Sequence, residues 1–199
     1  MAVITTEMVK QLRDKTGAGM MDCKRALEES GGNSDQAIEY LRKKGAATAA
    51  KRADKETNQG VIEAYIHAGG RIGSMVELNC ETDFVAKTPE FKQLAHDLAM
   101  QIAAMSPAYI SRAQVSKEAI DKEIEIYKSQ AVNEGKPANI AEKVAQGRLE
   151  KFYQETVLLE QSFIKDSGKT IKDLIDEQTA KVGEKVSIRR FQRFHLGES

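Results

Sequence analysis

The sequence has no tryptophan and only two cysteines, Cys23 and Cys80. Because the cysteines are far apart and share no CxxC or Cys/His spacing, neither a disulfide framework nor a zinc site is expected. No apolar run approaches the ~20 residues that cross a bilayer, and the N-terminus lacks the apolar segment of a signal peptide. We therefore expect a protein of the reducing cytoplasm that does not bind a membrane.

An excess of charge of one sign is also missing. Lysine plus arginine and aspartate plus glutamate both number 30, and the pI is near 6.9. Proteins that bind nucleic acid directly normally have a basic surface with interleaved aromatic residues, and this sequence lacks that combination. We expect no direct contact with nucleic acid.

Motifs for catalysis or nucleotide binding are missing as well. The stretch SGKT at Ser167–Thr170 resembles the end of a phosphate-binding loop, but the glycine required five residues before its own glycine is Phe163. We interpret it as a turn that precedes a helix cap. The histidines lie on different predicted elements, without a partner at metal-ligand spacing: His67, His96 and His195. We expect no enzymatic activity, no cofactor and no metal.

Helical periodicity dominates residues 1–45, which we assign to a three-helix module. Glycine-rich breakers at residues 16–19 and 30–34 separate three apolar stripes, and Asn33 or Ser34 is available to cap the third helix. The stripes are Met8 and Leu12; Met20, Cys23 and Leu27; and Ala37, Ile38 and Leu41. Residues 46–59 are polar and alanine-rich, which predicts a helical or flexible linker.

Alternating apolar residues begin after the linker. One run contains Ile62, Ala64 and Ile66, and the next contains Ile72, Val76, Leu78 and Cys80, with Gly69 and Gly70 between them. This pattern predicts an antiparallel hairpin. A helix is then predicted to begin at Thr88 and Pro89, which suit the N-cap and first positions. We assign residues 60–115 to a core hairpin and helix.

The remaining residues are predicted to form a helical hairpin and a return segment. Residues 116–160 carry a thin apolar seam, and the second helix has a capping-box spacing at Asn139 and Glu142. Residues 161–199 supply a helix near 170–180 and a strand at 186–194. The predicted fold class is α+β: an N-terminal three-helix ubiquitin-associated-like bundle, then a small antiparallel sheet covered by helices, with a projecting helical hairpin.

One aromatic residue occurs where a core does not require it. Phe84 lies in the polar connector NCETDFVAK, between the predicted hairpin and the next helix. The local pattern by itself favours packing of Phe84 onto that helix near Phe91. Loops carry function disproportionately often, so the connector is also a candidate binding site.

Other candidate binding residues lie off the predicted apolar stripes. Met21 falls beside the stripe of the second helix, and Lys10 and Arg13 lie on the polar side of the first. His96 and Met100 share the side of their helix opposite its stripe and are candidates for a second interface. A solvated surface is the ordinary explanation for each. Without catalytic groups nearby, however, exposed methionine and phenylalanine favour protein binding.

Three long stretches resemble the elongation factor Ts family. They are the N-terminal segment at residues 9–53, ETDFVA at Glu81–Ala86, and the segment from Gly135 to Asp166 that resembles the family's coiled-coil hairpin. The resemblance extends over nearly the whole chain in the family's order. The chain is similar to the short members of the family, which have a single core unit.

This resemblance implies a guanine-nucleotide exchange factor for elongation factor Tu that promotes GDP release by disturbing the Mg²⁺ site. The positions that match the family's docking residues are Lys10, Arg13, Met20 and Met21. The positions that match the wedge at the Mg²⁺ site are Thr82, Asp83, Phe84 and Val85. For Phe84, the implied role as a wedge replaces the packing interpretation.

Two alternatives and one assembly state complete the expectations. A ubiquitin-associated-like adaptor would bind without accelerating GDP release, and an RNA binder would show a steep salt dependence.

The last strand carries apolar residues on both faces: Val186, Ile188 and Phe194 on one, and Phe191 on the other. Because a solvent-facing sheet normally keeps one face polar, we expect a homodimer that replaces the second core unit of long family members.

Overall fold

The computed structural model describes residues 4–198, except for the side chain of residue 138. The helices are α1 (Thr6–Thr16), α2 (Met20–Glu29), α3 (Ser34–Lys51), α4 (Asp83–Ala86), α5 (Pro89–Met105), α6 (Lys117–Asn133), α7 (Ala138–Thr156) and α8 (Ile171–Val182). The strands are β1 (Gln59–Ile66), β2 (Ile72–Cys80), β3 (Ser162–Phe163), β4 (Asp166–Thr170) and β5 (Ser187–His195). One antiparallel sheet has the order β1-β2-β5, and β3 pairs with β4. The predicted α+β class is confirmed.

The chain forms two compact units, each assembled from separate segments. The first unit comprises the chain up to Glu63, Glu77–Ala95 and Lys172–Arg189. The second comprises Ala64–Val76, His96–Ile171 and the chain from Arg190 onward. The boundaries that we placed from the sequence at residues 45, 59, 115 and 160 remain a prediction.

The N-terminal bundle of the first unit follows local sequence signals. The Asn33 side chain accepts hydrogen bonds from the amides of Asp35 and Gln36, so the predicted cap of α3 is confirmed. The buried core of the bundle consists of Val9, Leu12, Cys23, Ala26, Leu27 and Ala37. Met20, predicted to lie on the core stripe, is exposed instead. It is the first residue of α2, so its side chain points back beyond the end of the helix.

Helix α3 continues past the predicted bundle and packs on α8. The run predicted as a helical or flexible linker is helical as far as Lys51. Gly45 is buried at the contact, where a Cβ would lie 3.6 Å from the Asp176 carbonyl oxygen and 3.8 Å from Ala180 Cβ. Beside it, the Arg42 guanidinium lies 2.8 Å from the Asp173 carboxylate. The bundle and α8 are therefore joined by direct packing.

The predicted β1–β2 hairpin is confirmed. Its turn contains Gly69 and Gly70, both with positive φ, and the His67 amide donates to the Ile72 carbonyl. Strand β2 continues without a break through Ser74, whose hydroxyl donates to the Ala99 carbonyl of α5. The alternating residues of β1, however, lie on its solvent side: Ile62, Ala64 and Ile66.

Two other features of the sheets differ from the predictions. Ile188 is buried but Phe194 is exposed, so the expected shared apolar face of β5 is wrong. Arg189 and Arg190 are both exposed, and the alternation of burial reverses after them. The stretch Ser167–Thr170 lies within strand β4, whereas a turn was predicted; the turn occupies residues 164–165.

The helical hairpin of α6 and α7 belongs to the second unit. Its two helices pack through small buried residues, namely Ala131, Ala141 and Ala145. The predicted capping box at Asn139 and Glu142 is wrong, because α7 has Pro137 at its N-cap position and no side-chain capping bond. The Glu142 carboxylate instead accepts a hydrogen bond from Lys128 of α6 at 2.8 Å.

No helix within residues 4–198 has both the length and the apolar character needed to cross a membrane.

The α3–α8 contact gives a prediction about Gly45. Alanine adds a Cβ at ordinary contact distance and removes the helix penalty of glycine, so Gly45→Ala should raise the free energy of unfolding by up to about 1 kcal/mol. Gly45→Leu should lower it by about 1–3 kcal/mol, because the longer side chain meets the α8 backbone. Urea denaturation measures both. A leucine variant as stable as the original chain would contradict this packing.

Candidate functional site

The connector around Phe84 folds as a single helical turn. After β2 ends at Cys80, α4 spans only the four residues Asp83–Ala86. We call residues 82–86 the α4 turn. In a helix, residues two apart point about 200° away from each other. Ala86 is buried, and Phe84 therefore points outward with 80% of its surface exposed. The interpretation that Phe84 packs near Phe91 is wrong.

Hydrogen bonds from outside the helix hold both ends of the α4 turn. At the N-terminal end, the Thr82 amide and hydroxyl donate to the two carboxylate oxygens of Glu184, at 3.0 and 2.7 Å. At the C-terminal end, the Thr88 hydroxyl donates to the Val85 carbonyl at 2.8 Å and accepts from the Phe91 amide at 3.3 Å. The predicted capping role of Thr88 is thus confirmed. A helix of four residues is not stable alone, so these contacts maintain it.

A carboxylate lies beside the exposed aromatic ring. Asp83 accepts a hydrogen bond from the Lys87 ammonium, and this bond keeps the pKa of Asp83 below its usual value. Asp83 is therefore ionised at neutral pH. Thr82 and Val85 are only partly accessible. Of the four predicted wedge residues, Phe84 offers the large apolar contact and Asp83 offers a charged one.

Below the α4 turn lies an uncharged thiol. Cys80 is fully buried, and its Sγ donates to the Thr82 carbonyl at 3.1 Å. Burial, together with the nearby Glu184 carboxylate, raises the pKa of the Cys80 thiol to about 11. The thiol contributes a hydrogen bond and is not suited to act as a nucleophile.

A second carboxylate anchors the end of β2. Glu81 accepts two hydrogen bonds from the Arg52 guanidinium, at 2.7 and 2.9 Å, and one from the Lys185 amide at 2.6 Å. The bond from the Lys185 amide, with the Arg52 cation, lowers the pKa of Glu81. Sequence reasoning assigned no role of this kind to Glu81 and missed Glu184 and Lys185. No local signal marks them, since they lie about a hundred residues away in sequence.

All four predicted docking residues lie on the surface of the first unit. Lys10 and Arg13 are exposed on α1, and Met20 and Met21 are exposed at the start of α2. Met21 has 68% of its surface accessible, as expected for a residue beside the core stripe. Two exposed thioethers next to a bundle offer an adaptable apolar surface for another protein.

His96 and Met100 belong to the second unit and are half-buried on α5. The His96 ring packs edge-on against Tyr65, with ring centroids 5.8 Å apart. Part of the His96 surface is therefore used within the chain.

The groups that the α4 turn exposes are suited to contact with another protein. In the described part of the chain, no group of three or more His, Cys, Asp or Glu side chains is placed to hold a metal ion. What the α4 turn presents is an aromatic ring and a carboxylate on a fixed backbone. Such a pair offers another protein one large apolar contact and one charged contact.

Comparison with known proteins identifies relatives along the whole chain. A family model described as Elongation factor TS matches residues 4–198. The chain is 62% identical over 196 residues to the Elongation factor Ts of Carboxydothermus hydrogenoformans, covering 98% of this chain and 90% of that protein. It is 59% identical to that of Moorella thermoacetica, covering 98% and 97%, and 59% identical to that of Desulforamulus reducens, covering 100% and 91%.

Proposed function

Because the chain belongs to the elongation factor Ts family, we propose that it is a guanine-nucleotide exchange factor for elongation factor Tu in translation elongation. The observation that supports this most directly is Phe84, exposed at the tip of a turn held by hydrogen bonds. Exchange requires no covalent step, which fits a site without catalytic groups. The protein acts in the cytoplasm, without direct contact to nucleic acid or membrane.

The α4 turn acts on the nucleotide through the partner's Mg²⁺ site. Phe84 enters the GTPase domain, with Asp83 beside it, and stabilises an arrangement in which the Mg²⁺ ligands are displaced. Burying a phenylalanine contributes about 1.5–3 kcal/mol. If this energy is gained only when GDP is absent, reciprocal coupling weakens GDP binding by about ten- to a hundredfold. Phe84 therefore supplies a substantial part of the exchange effect by itself.

The docking residues have a different role. Lys10, Arg13, Met20 and Met21 contact a helix of the GTPase domain whether or not the nucleotide is bound. A contact that is equally strong with the GDP-bound and the nucleotide-free partner raises the affinity of the factor for its partner. It does not change the affinity of the partner for GDP. The N-terminal bundle therefore provides attachment, and the α4 turn provides exchange. His96 and Met100 remain candidates for a second contact with the partner.

One face of the sheet in the second unit supports the homodimer. Three residues on successive strands contact α5 or its backbone: Tyr65, Ser74 and Arg193. Side chains alternate along a strand, so the residue next to each of these three in the sequence lies on the opposite side of the sheet. That side, which we call the open face, consists of Ile66, Met75, Phe194 and the adjoining Leu196, each 49–67% exposed.

A second copy of the chain is the occupant that we propose for the open face. Exposed apolar patches of this kind mark interaction sites, and two-fold pairing would bury the same residues on both copies. The active complex then contains two copies of this protein and two of elongation factor Tu.

Phe84→Ala tests the wedge. The maximum rate of GDP release at saturating factor should fall about ten- to a hundredfold, because the lost side chain contributes only in the GDP-free complex. The melting temperature should not change, since Phe84 is exposed. Release of fluorescent GDP from elongation factor Tu measures the rate. Val132→Ala, at another exposed apolar residue, is the control and should exchange normally. An unaltered rate in Phe84→Ala would rule out the wedge. Asp83→Ala should lower the rate of GDP release by less than Phe84→Ala does.

Met21→Ala and Arg13→Glu test the division of roles. Each should raise the concentration of factor needed for half-maximal exchange by about fivefold or more, as for an interface residue worth about 1 kcal/mol. The maximum rate should change by less than twofold, because these residues are distinct from the α4 turn. Titrations of GDP release against factor concentration separate the two quantities. A variant that reaches half-maximal exchange at the normal factor concentration, but has a low maximum rate, would contradict the assignment of these residues to docking.

Phe194→Asp tests the homodimer. Light scattering at micromolar concentration should give a mass near twice 22.0 kDa for the original chain and near 22.0 kDa for the variant. A charge at the centre of an apolar interface disfavours association, while the exposed position leaves the monomer folded. Phe84→Ala is the matched control and should remain dimeric. A monomeric original chain with full exchange activity would disprove the homodimer.

A further inference from the structure

Two consecutive residues in the α8–β5 connection contact two separate segments of the first unit. Gly183 ends α8 with a positive φ of 72°, and the chain then turns into Glu184 and Lys185. Glu184 binds Thr82, and the Lys185 amide binds Glu81. The Lys185 ammonium donates to the carbonyls of Ala53 and Lys55, at 2.6 and 2.8 Å, just after α3.

The α4 turn lacks the capping bond that its own sequence could provide. Thr82 occupies the N-cap position, where a threonine hydroxyl normally accepts a hydrogen bond from the helix. No such bond forms at Thr82, and its hydroxyl donates to Glu184. The Thr82 amide donates to the same carboxylate. The start of the α4 turn is therefore fixed by a residue from another element, with one carboxylate oxygen for each donor.

The same connection also links the α4 turn to the helix that carries the docking bundle. Arg52, at the C-terminal end of α3, binds the Glu81 carboxylate, which in turn accepts from the Lys185 amide. Glu81 immediately precedes Thr82 in the chain. Docking through α1 and α2 and presentation of Phe84 are thus connected through hydrogen bonds centred on residues 184–185.

We propose that Glu184 is a positioning residue for nucleotide exchange, which holds the α4 turn in the conformation that presents Phe84. The proposal rests on the proposed exchange function. In this role Glu184 acts through Thr82 and needs no contact of its own with the partner. Glu184 orders the α4 turn before the partner binds. The free energy gained from the Phe84 contact is then not offset by the entropy of ordering the backbone in the complex.

Glu184→Ala is the primary test, with GDP release measured against factor concentration. The maximum rate should fall about tenfold, the effect of losing a hydrogen bond to a charged group, and half-saturation should change by less than twofold. Hydrogen-exchange mass spectrometry should show faster amide exchange in residues 81–88 and unchanged exchange in α1 and α2. A purely structural role would instead lower the melting temperature and leave the rate per folded molecule unchanged.

Two further variants and one control complete the experiment. Glu184→Gln should restore most of the rate, because its amide can accept from the Thr82 amide and donate to the Thr82 hydroxyl. Thr82→Val removes only the hydroxyl contact and should lose about threefold, which keeps the test decisive even where the alanine variant does not fold. Glu118→Ala, at an exposed glutamate in the first turn of α6, should behave as the original chain.

The outcomes separate this proposal from the proposed function. If the original chain accelerates GDP release and Glu184→Ala does so equally well, the positioning role is wrong while the exchange function remains. If glutamine restores none of the rate, hydrogen bonding to Thr82 is not what Glu184 contributes to exchange, and its positioning role is also wrong. If the original chain does not accelerate GDP release at all, the exchange function fails, and the role of Glu184 in it fails too.

Discussion

The shape of the α4 turn depends on one carboxylate, that of Glu184, which receives two hydrogen bonds from Thr82. A four-residue helix cannot offset the entropy of its own nucleation, so the α4 turn takes its order from the structure around it. Glu184 supplies acceptors at the start of the turn, Thr88 binds its end, and Ala86 is buried beneath it. With these contacts in place, the exposed Phe84 is presented on a backbone with little freedom to move.

The second constraint is that the α4 turn and the docking bundle belong to the same compact unit. Helix α3 extends beyond the bundle, packs on α8 at Gly45, and ends at Arg52, which binds Glu81. A factor that attaches through one surface and acts through another benefits from such a connection. Under the proposed division of roles, the energy of docking would place the α4 turn without a separate search by a flexible segment.

The sequence predicted features that depend on neighbouring residues and missed those decided at long range. Thr88 was predicted as a cap, and Asn33 was one of two predicted alternatives, because capping involves residues two or three positions away. The exposure of Phe84 could not be obtained from local pattern, because it follows from the burial of Ala86 and from Glu184, a hundred residues later. The alternation of apolar residues correctly located β1 but did not show which side of the strand faces α5. Tertiary contacts alone decide that side.

The buried thiol beneath the α4 turn has a consequence for oxidative conditions. Because burial raises the pKa of the Cys80 thiol to about 11, the side chain is almost entirely uncharged at pH 7. Peroxides and disulfides react with the thiolate, and the side chain is also fully enclosed by protein. The Cys80 sulfur is hydrogen-bonded to the Thr82 carbonyl, so its oxidation would disturb the α4 turn. Because the thiol resists oxidation, the shape of the turn should not depend on the redox state of the cell.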